Sequence, residues 1–327
     1  MMEAELVFNA LSITTAPTKE VARTWLTDMM EAVADLIDKE INGKQICKRA
    51  IKSDKDFYEI DLTEDYGYQE WLEDFLVDRE LQVLALQIEH RCPVHQDLKT
   101  DAYDDFLGSE FVLKEIPETE VTALGVALLH DGIAVSLPSK PRWCQSKIEI
   151  VQQLYDDESE QPHQINHRVR QVSHPDHVDF AIRDWQHSLS QKIKSVSEFI
   201  EQWKIVFSHL DRCEEYEKKM LPHLQDKKTL KSVLHRLWQL DNVCHNWETE
   251  PVYPMNARPE SRQTMKVKKL AQMRQATCPH QGEQDFIMHC EIEPKGYRLY
   301  WLINQDCYRM TIGYIGPHLE TATFKAQ

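Results

Sequence analysis

A short segment late in the chain concentrates positive charge that could bind an anion. Glu260 is the only acidic residue between positions 258 and 274, and the cations there are Arg258, Arg262, Lys266, Lys268, Lys269 and Arg274. Guanidinium and ammonium groups at this density can hold the phosphates of a nucleic acid. The same pattern is also typical of a solvated basic helix face. The sequence leaves both interpretations open.

Cysteines and histidines lie close together at two places where a metal could bind. The two groups are His90, Cys92 and His95, and Cys278, His280, His289 and Cys290. Structural zinc needs four thiolate or imidazole ligands, usually from pairs such as Cys-x-x-Cys, and neither group contains such a pair. We therefore expect no metal and no cofactor, and we interpret the eight cysteines as reduced thiols.

Two other sets contain residue types that are found in catalytic sites, but their spacing along the chain does not fit such a site. Asp105, Glu110 and Lys114 have the residue types of the two carboxylates and the lysine that surround Mg²⁺ in some nucleases. There, however, the second acid and the lysine lie two residues apart on one strand, and here they lie four apart. His174 and His177 precede a predicted helix and could bind a metal or an anion, but a capped helix start with exposed histidines is the favoured interpretation.

Composition excludes several classes of protein. The chain has only nine glycines, and none forms a phosphate-binding or dinucleotide-binding loop, which argues against an ATPase, a kinase or a dehydrogenase. No apolar stretch reaches the roughly 18 residues of a membrane helix. The first residues lack the basic start and apolar core of a signal peptide. We expect a cytoplasmic protein without a membrane segment.

The formal net charge of −16 is unevenly distributed along the 327 residues. Residues 1–160 carry 34 acidic and 15 basic side chains, a net −19, whereas residues 161–327 carry 20 and 23, a net +3. An acidic surface repels a phosphate backbone at long range. Any affinity for nucleic acid is therefore expected in the second half.

Hydrophobic periodicity predicts an α+β fold whose N-terminal domain covers residues 1–160. Thr18 is a good N-cap for an amphipathic helix that runs to about Ile41. From residue 111 onward, apolar segments at 111–113, 122–129, 132–137 and 147–155 read as strands. His130, Asp131 and Gly132 form a plausible hairpin turn between two of them. These segments predict a small, mostly antiparallel sheet.

The middle of the chain, residues 161–250, is predicted to be helical. Ser195 and Asp226 are N-caps of two long amphipathic helices, which suggest a helical hairpin. A proline-rich linker then leads to a C-terminal domain at residues 251–327. There the basic helix is followed by three strands, predicted at 285–293, 297–303 and 308–315.

The last strands resemble the core of RelE/HigB-type ribonuclease toxins. The resemblance covers about residues 258–327 and rests on Tyr297-Arg298-Leu299-Tyr300-Trp301 and on Ile312-Gly313-Tyr314, with a tail that carries His318. In that family, helices pack on an antiparallel sheet that cleaves RNA without a metal. Segments 11–17 and 131–137 resemble uncharacterised bacterial proteins of phage-defence or toxin genes.

The resemblance implies a role for each matching residue. Arg298 would hold the scissile phosphate, and Tyr314 and His318 would supply acid and base chemistry. The cations of the preceding segment would bind the nucleic acid; these are Arg262, Lys266, Lys268, Lys269 and Arg274. The chain differs from the family in being strongly acidic and about three times as long.

Two functional hypotheses follow. The first is a bacterial defence protein whose C-terminal domain binds, and possibly cleaves, RNA. The second is a non-catalytic subunit that docks on a protein partner through the acidic half and the helical hairpin. Clustering of Arg298, the basic helix and His318 in one cleft would favour the enzyme. Burial of Arg298 in an ion pair with Glu291 or Glu293 would favour the second hypothesis.

Overall fold

The computed structural model describes residues 3–154, 163–248, 250–251, 253 and 256–325. Its mixture of helices and sheets confirms the α+β class. The chain divides into two units between Trp185 and Gln186, within one helix. The expected boundaries at 160/161 and 250/251 do not coincide with this division. The boundary expected at 160/161 falls outside the described residues, as does part of the proline-rich linker.

Among its described residues, the N-terminal unit contains a seven-stranded sheet, two two-stranded sheets, five α-helices and the first half of a sixth. The strands are β1 Ala4–Phe8, β2 Glu40–Ile41, β3 Lys44–Gln45, β4 Cys47–Lys52, β5 Asp61–Thr63, β6 Tyr66–Gly67, β7 Glu89–Arg91, β8 Ser109–Leu113, β9 Ile133–Val135, β10 Lys147–Leu154 and β11 His163–Val172. The helices are α1 Lys19–Asp38, α2 Tyr68–Glu73, α3 Arg79–Gln87, α4 Thr100–Leu107, α5 Thr122–Leu129 and α6 Val178–Lys192.

The main sheet of this unit is larger than predicted, and its strands run mostly parallel. It has seven strands in the order β7-β4-β1-β9-β11-β10-β8. The first four pairings are parallel, and only β11-β10 and β10-β8 are antiparallel. The prediction of a small, mostly antiparallel sheet was wrong. Parallel neighbours need long crossover connections, which contain α1 between β1 and β4, and α2 and α3 between β4 and β7.

One misassigned element accounts for much of this error. Residues 122–129 form helix α5, not a strand, and residues 130–132 connect that helix to β9 rather than forming a hairpin turn. The segment TALGVALL is almost uniformly apolar, so its sequence has no period that separates a buried helix from a buried strand. Four consecutive residues of α5, from Leu124 to Ala127, are buried.

Helix α1 follows the sequence prediction closely. The Thr18 side chain accepts a hydrogen bond from the Val21 backbone N–H, which satisfies one of the free donors of the first turn. The buried side chains recur at helical spacing, as in Leu26, Met30 and Val33. The outward face of the same helix carries acidic residues.

The C-terminal unit contains the second half of α6 and the remaining elements. The helices are α7 Val196–Val206, α8 Tyr216–Lys219, α9 Lys227–His245, α10 Arg262–Lys266 and α11 Lys268–Gln272. The strands are β12 Leu210–Arg212, β13 Arg258–Pro259, β14 Gln275–Cys278, β15 Gly282–Asp285, β16 Met288–Ile292, β17 Tyr297–Asn304 and β18 Arg309–Pro317.

The sheet of this unit has the order β12-β18-β17-β16-β13. The three strands predicted near the C-terminus are confirmed as β16, β17 and β18, which pair antiparallel. The two predicted long helices are also present as α7 and α9, with Ser195 and Asp226 as their N-caps. They do not form a simple hairpin, because β12 lies between them in the chain and pairs with β18.

The described helices include none that is both long enough and apolar enough to cross a membrane.

The close approach of α5 to the sheet allows a test of this fold. A Cβ atom at Gly125 would lie 2.3 Å from the Phe111 ring, inside the core. Gly125→Val should therefore lower the free energy of unfolding by about 1–3 kcal/mol. Gly108→Val, at an exposed position where an added Cβ would lie 3.5 Å from its nearest neighbour, should change it by less than about 0.5 kcal/mol.

Urea unfolding measures both changes. If residues 122–129 were an exposed strand instead of a buried helix, the two variants would be equally stable.

Candidate functional site

The strand register places the predicted catalytic residues on one face of the C-terminal sheet. Arg298 lies opposite Glu291 on β16 and opposite Gly316 on β18. Two residues further along β17, Tyr300 lies opposite His289 and Tyr314. Side chains of a strand alternate between faces, so all of these project from the same side.

Arg298 is buried and already paired. Only 8% of the residue is exposed. Its Nη1 donates to Glu291 Oε1 at 2.9 Å and to the Tyr297 carbonyl oxygen at 2.9 Å. Both hydrogen bonds use Nη1, and Nε is buried without a hydrogen-bond partner. Burial limits the access of a phosphate to this guanidinium more than its pairing does. This is the arrangement that favours a structural role over a catalytic one.

Arg274 is even more enclosed, and its predicted role in binding nucleic acid is wrong. Its side chain is fully buried, and Nε and Nη2 each lie 2.7 Å from Glu260 Oε2. Nη1 donates to the Leu270 carbonyl and Nη2 to the Glu320 carbonyl, both at 2.9 Å. The guanidinium also lies 5.5 Å from the centre of the Tyr300 ring. The charge of Arg274 is therefore neutralised by Glu260 inside the fold.

Glu260 is the acceptor at the centre of this arrangement. Burial by itself would raise the pKa of Glu260, but the Ser261 N–H and the Arg274 charge outweigh it and hold the pKa below its usual value. The Tyr300 hydroxyl lies 3.4 Å from the same carboxylate, and the His289 ring stacks on Tyr300 at 4.9 Å. We call Glu260, Arg274, His289, Arg298 and Tyr300 the buried polar cluster.

Tyr314 and His318 lie at the edge of this cluster. Burial raises the pKa of Tyr314, whose hydroxyl donates to the Pro317 carbonyl at 2.9 Å. Burial, with a contribution from the nearby Arg298 charge, lowers the pKa of His318. The sheet thus brings His318 close to Arg298, as the resemblance implies. A neutral imidazole and a protonated phenol lie there, beside an arginine that is paired with Glu291.

The other predicted cations are on the surface. Arg262, Lys266, Lys268 and Lys269 are all exposed. They lie on two helices of five residues each, interrupted by the extended backbone of Val267, instead of on the single basic helix expected. Their role in binding nucleic acid stays a prediction. Their charges face solvent, whereas the arginines of the buried polar cluster do not.

The other candidate residues from the sequence have ordinary structural partners. Glu149 pairs with Lys114 at 2.7 Å and with Arg168 at 3.0 Å across the sheet. The His174 side chain accepts from the Asp176 N–H, which makes it the cap of a short helical turn. In the part of the chain that the structure describes, no group of three His, Cys, Asp or Glu residues is arranged to hold a metal ion.

Sequence reasoning did not find a groove in the N-terminal unit. It lies between α1 and α3, has a volume of about 750 Å³, and is completed by Pro175 from the turn before α6. Residues three or four positions apart share one face of a helix, so the lining residues of α1 form one wall and those of α3 form the other. The acidic lining side chains are Glu31, Asp35, Asp38, Asp78 and Glu80, and the basic ones are Arg49 and Arg79.

The floor of this acidic groove is apolar. Ala34, Leu81, Val83 and Leu84 line it, and Val83 is 40% exposed. The neighbouring segment of α3 and the turn before it expose further large apolar side chains. These are Phe75 at 90%, Leu76 at 60% and Leu86 at 55%. Several exposed apolar side chains next to a groove are typical of a protein-binding surface.

Negative charges crowd one another along the groove. Burial and the nearby carboxylates of Asp28 and Asp35 raise the pKa of Glu31. Burial likewise raises the pKa of Asp28. Such repulsion is relieved when a positive charge binds. The i, i+4, i+7 spacing of Glu31, Asp35 and Asp38 places these carboxylates on one helix face, and this was the sequence signal for the groove. Acidic helix faces are common, however, and usually they are only exposed to solvent.

No protein-family model, curated protein or solved structure matches this chain. The likeness of residues 258–327 to ribonuclease toxins therefore stays an expectation drawn from the residues themselves.

The burial of Arg274 leads to a prediction that separates it from the other predicted nucleic-acid-binding residues. Arg274→Met leaves Glu260 buried without its cation and should lower the free energy of unfolding by about 3–5 kcal/mol. Lys269→Met removes the same charge from the surface and should change it by less than about 0.5 kcal/mol.

Guanidinium chloride unfolding followed by circular dichroism compares the two variants with wild type. Equal, small effects would mean that Arg274 is a surface residue after all.

Proposed function

We propose that this protein is a non-catalytic interaction subunit whose N-terminal unit docks a basic segment of a protein partner. The acidic groove between α1 and α3 carries this proposal, because it combines an apolar floor with five carboxylates. A basic amphipathic helix would place its apolar stripe on Val83 and Leu84 and its lysines against Glu31 and Asp35.

The burial and pairing of Arg298 in the C-terminal unit support the same proposal. A ribonuclease of the toxin type depends on a strand arginine that is available to a phosphate. Here the corresponding guanidinium is bound to Glu291 and to a backbone carbonyl. Only 8% of Arg298 is exposed, so the cation on which the catalytic hypothesis rests is poorly accessible. Membership in a bacterial defence assembly is part of this proposal and rests on the sequence resemblance alone.

RNA binding without cleavage is the second candidate function. The exposed positions of Arg262, Lys266, Lys268 and Lys269 favour it, since such cations can neutralise phosphates without any enzymatic machinery.

A designed peptide tests the docking proposal directly. An 18-residue helix with leucines at i, i+3, i+4 and i+7 and lysines elsewhere should bind the full chain with micromolar affinity, which weakens as salt is added. The double variant Glu31→Gln/Asp35→Asn should bind at least ten times more weakly. Fluorescence anisotropy of the labelled peptide measures both affinities.

A matched control removes two charges elsewhere in the same unit. Asp101→Asn/Asp104→Asn changes exposed acids on α4, outside the groove, and should bind as wild type does. Equal weakening in both double variants would show that net charge, not the groove, attracts the peptide. Equal binding of a peptide with glutamates in place of the lysines would also contradict the proposal.

A further inference from the structure

The C-terminal unit contains a cavity that the proposed function does not use. It lies between the end of α6 and the first half of α9 and has a volume of about 710 Å³. Ligand pockets for small molecules commonly have volumes of about 300–1,000 Å³. The lining residues are His187, Ser190, Gln191, Ile193, Lys194, Lys227, Leu230, Lys231, Leu234, His235 and Trp238.

The rim of this cavity is cationic. Lys194, Lys227, Lys231 and His235 line it and are all exposed. None of the described lining residues is acidic. Lys227 and Lys231 lie four residues apart on α9, and Lys194 lies in the connection between α6 and α7, so two separate segments contribute the lysines. In a chain with a net charge of −16, such a concentration of positive charge without a compensating acid favours an anionic ligand.

The floor of the cavity is apolar and aromatic. Ile193, Leu230, Leu234 and Trp238 are buried there. The His187 ring stacks on the Trp238 indole, with 4.9 Å between centroids and 19° between planes. Two stacked planar rings beside aliphatic side chains accommodate a third flat ring better than a flexible chain.

The lining of the cavity also contains hydrogen-bonding groups. Gln191 Nε2 lies 3.2 Å from His187 Nε2, and the Ser190 hydroxyl donates to the His187 carbonyl at 2.6 Å. An amide, a hydroxyl and an imidazole in the lining are suited to the polar edge of a heterocyclic base or to a ribose.

We propose that this cavity binds a nucleoside phosphate. The lysines of the rim hold the phosphate groups, and the base lies on the apolar floor next to His187 and Trp238. Inorganic phosphate lacks the ring that fills the floor, and an uncharged nucleoside lacks the charge that the rim attracts. The site is independent of the acidic groove, because it lies in the other unit and takes a ligand of opposite charge.

Isothermal titration calorimetry on the full chain tests this assignment with ATP, AMP, adenosine and pyrophosphate. ATP should bind with micromolar affinity, and pyrophosphate and adenosine should each bind at least ten times more weakly. The double variant Lys227→Gln/Lys231→Gln should weaken ATP binding by at least tenfold. Both side chains are exposed, so the fold is expected to tolerate the change.

Lys228→Gln/Lys218→Gln is the matched control. Both lysines are exposed on helices of the same unit, and neither lines the cavity. This variant should bind ATP within twofold of wild type. Three results would overturn the proposal: no binding of ATP at millimolar concentration, equal binding of pyrophosphate and ATP, or equal weakening in the two double variants. Preferential binding of a short RNA over ATP would assign the lysines to a polynucleotide surface instead.

Discussion

The C-terminal unit is organised around the ion pair between Arg274 and Glu260. Its two partners lie on either side of α10 and α11, and Arg274 also binds the carbonyl oxygens of Leu270 and Glu320. The pair therefore holds the basic segment and the C-terminal tail against the sheet face that carries Tyr300. A buried charge is tolerated only when its hydrogen-bonding capacity is satisfied. Arg274 satisfies its hydrogen-bonding capacity inside the fold. Its positive charge is therefore not available to bind nucleic acid.

The two units present surfaces of opposite character. The N-terminal unit concentrates carboxylates around the apolar floor of a groove between α1 and α3, whereas the C-terminal unit surrounds a cavity with lysines. Electrostatic complementarity chiefly sets the rate and specificity of association. A chain with one acidic and one basic binding surface is suited to bringing together a basic partner and an anionic ligand.

The parts of the fold that have a clear period were predictable from the sequence. Thr18 and the periodic face of α1 located that helix, and alternating residues located β17 and β18. Helix α5 was not predictable in the same way, because an evenly apolar segment has no period. That error concealed the parallel strands. For the site, the sequence showed which cations exist but not which are buried. Arg274 and Lys269 look alike in sequence, and only the position of Glu260 distinguishes them.

The central claim is that Arg298 stabilises the sheet and does not cleave RNA. The most direct test incubates end-labelled RNA with the full chain and with Arg298→Lys, and measures the thermal stability of both proteins. We expect no cleavage above the buffer control. The substitution should lower the free energy of unfolding by about 1–3 kcal/mol, because an ammonium on a flexible stem does not reproduce the planar guanidinium at this buried position. Cleavage by the wild-type protein that is lost in Arg298→Lys, at an unchanged melting temperature, would contradict this account.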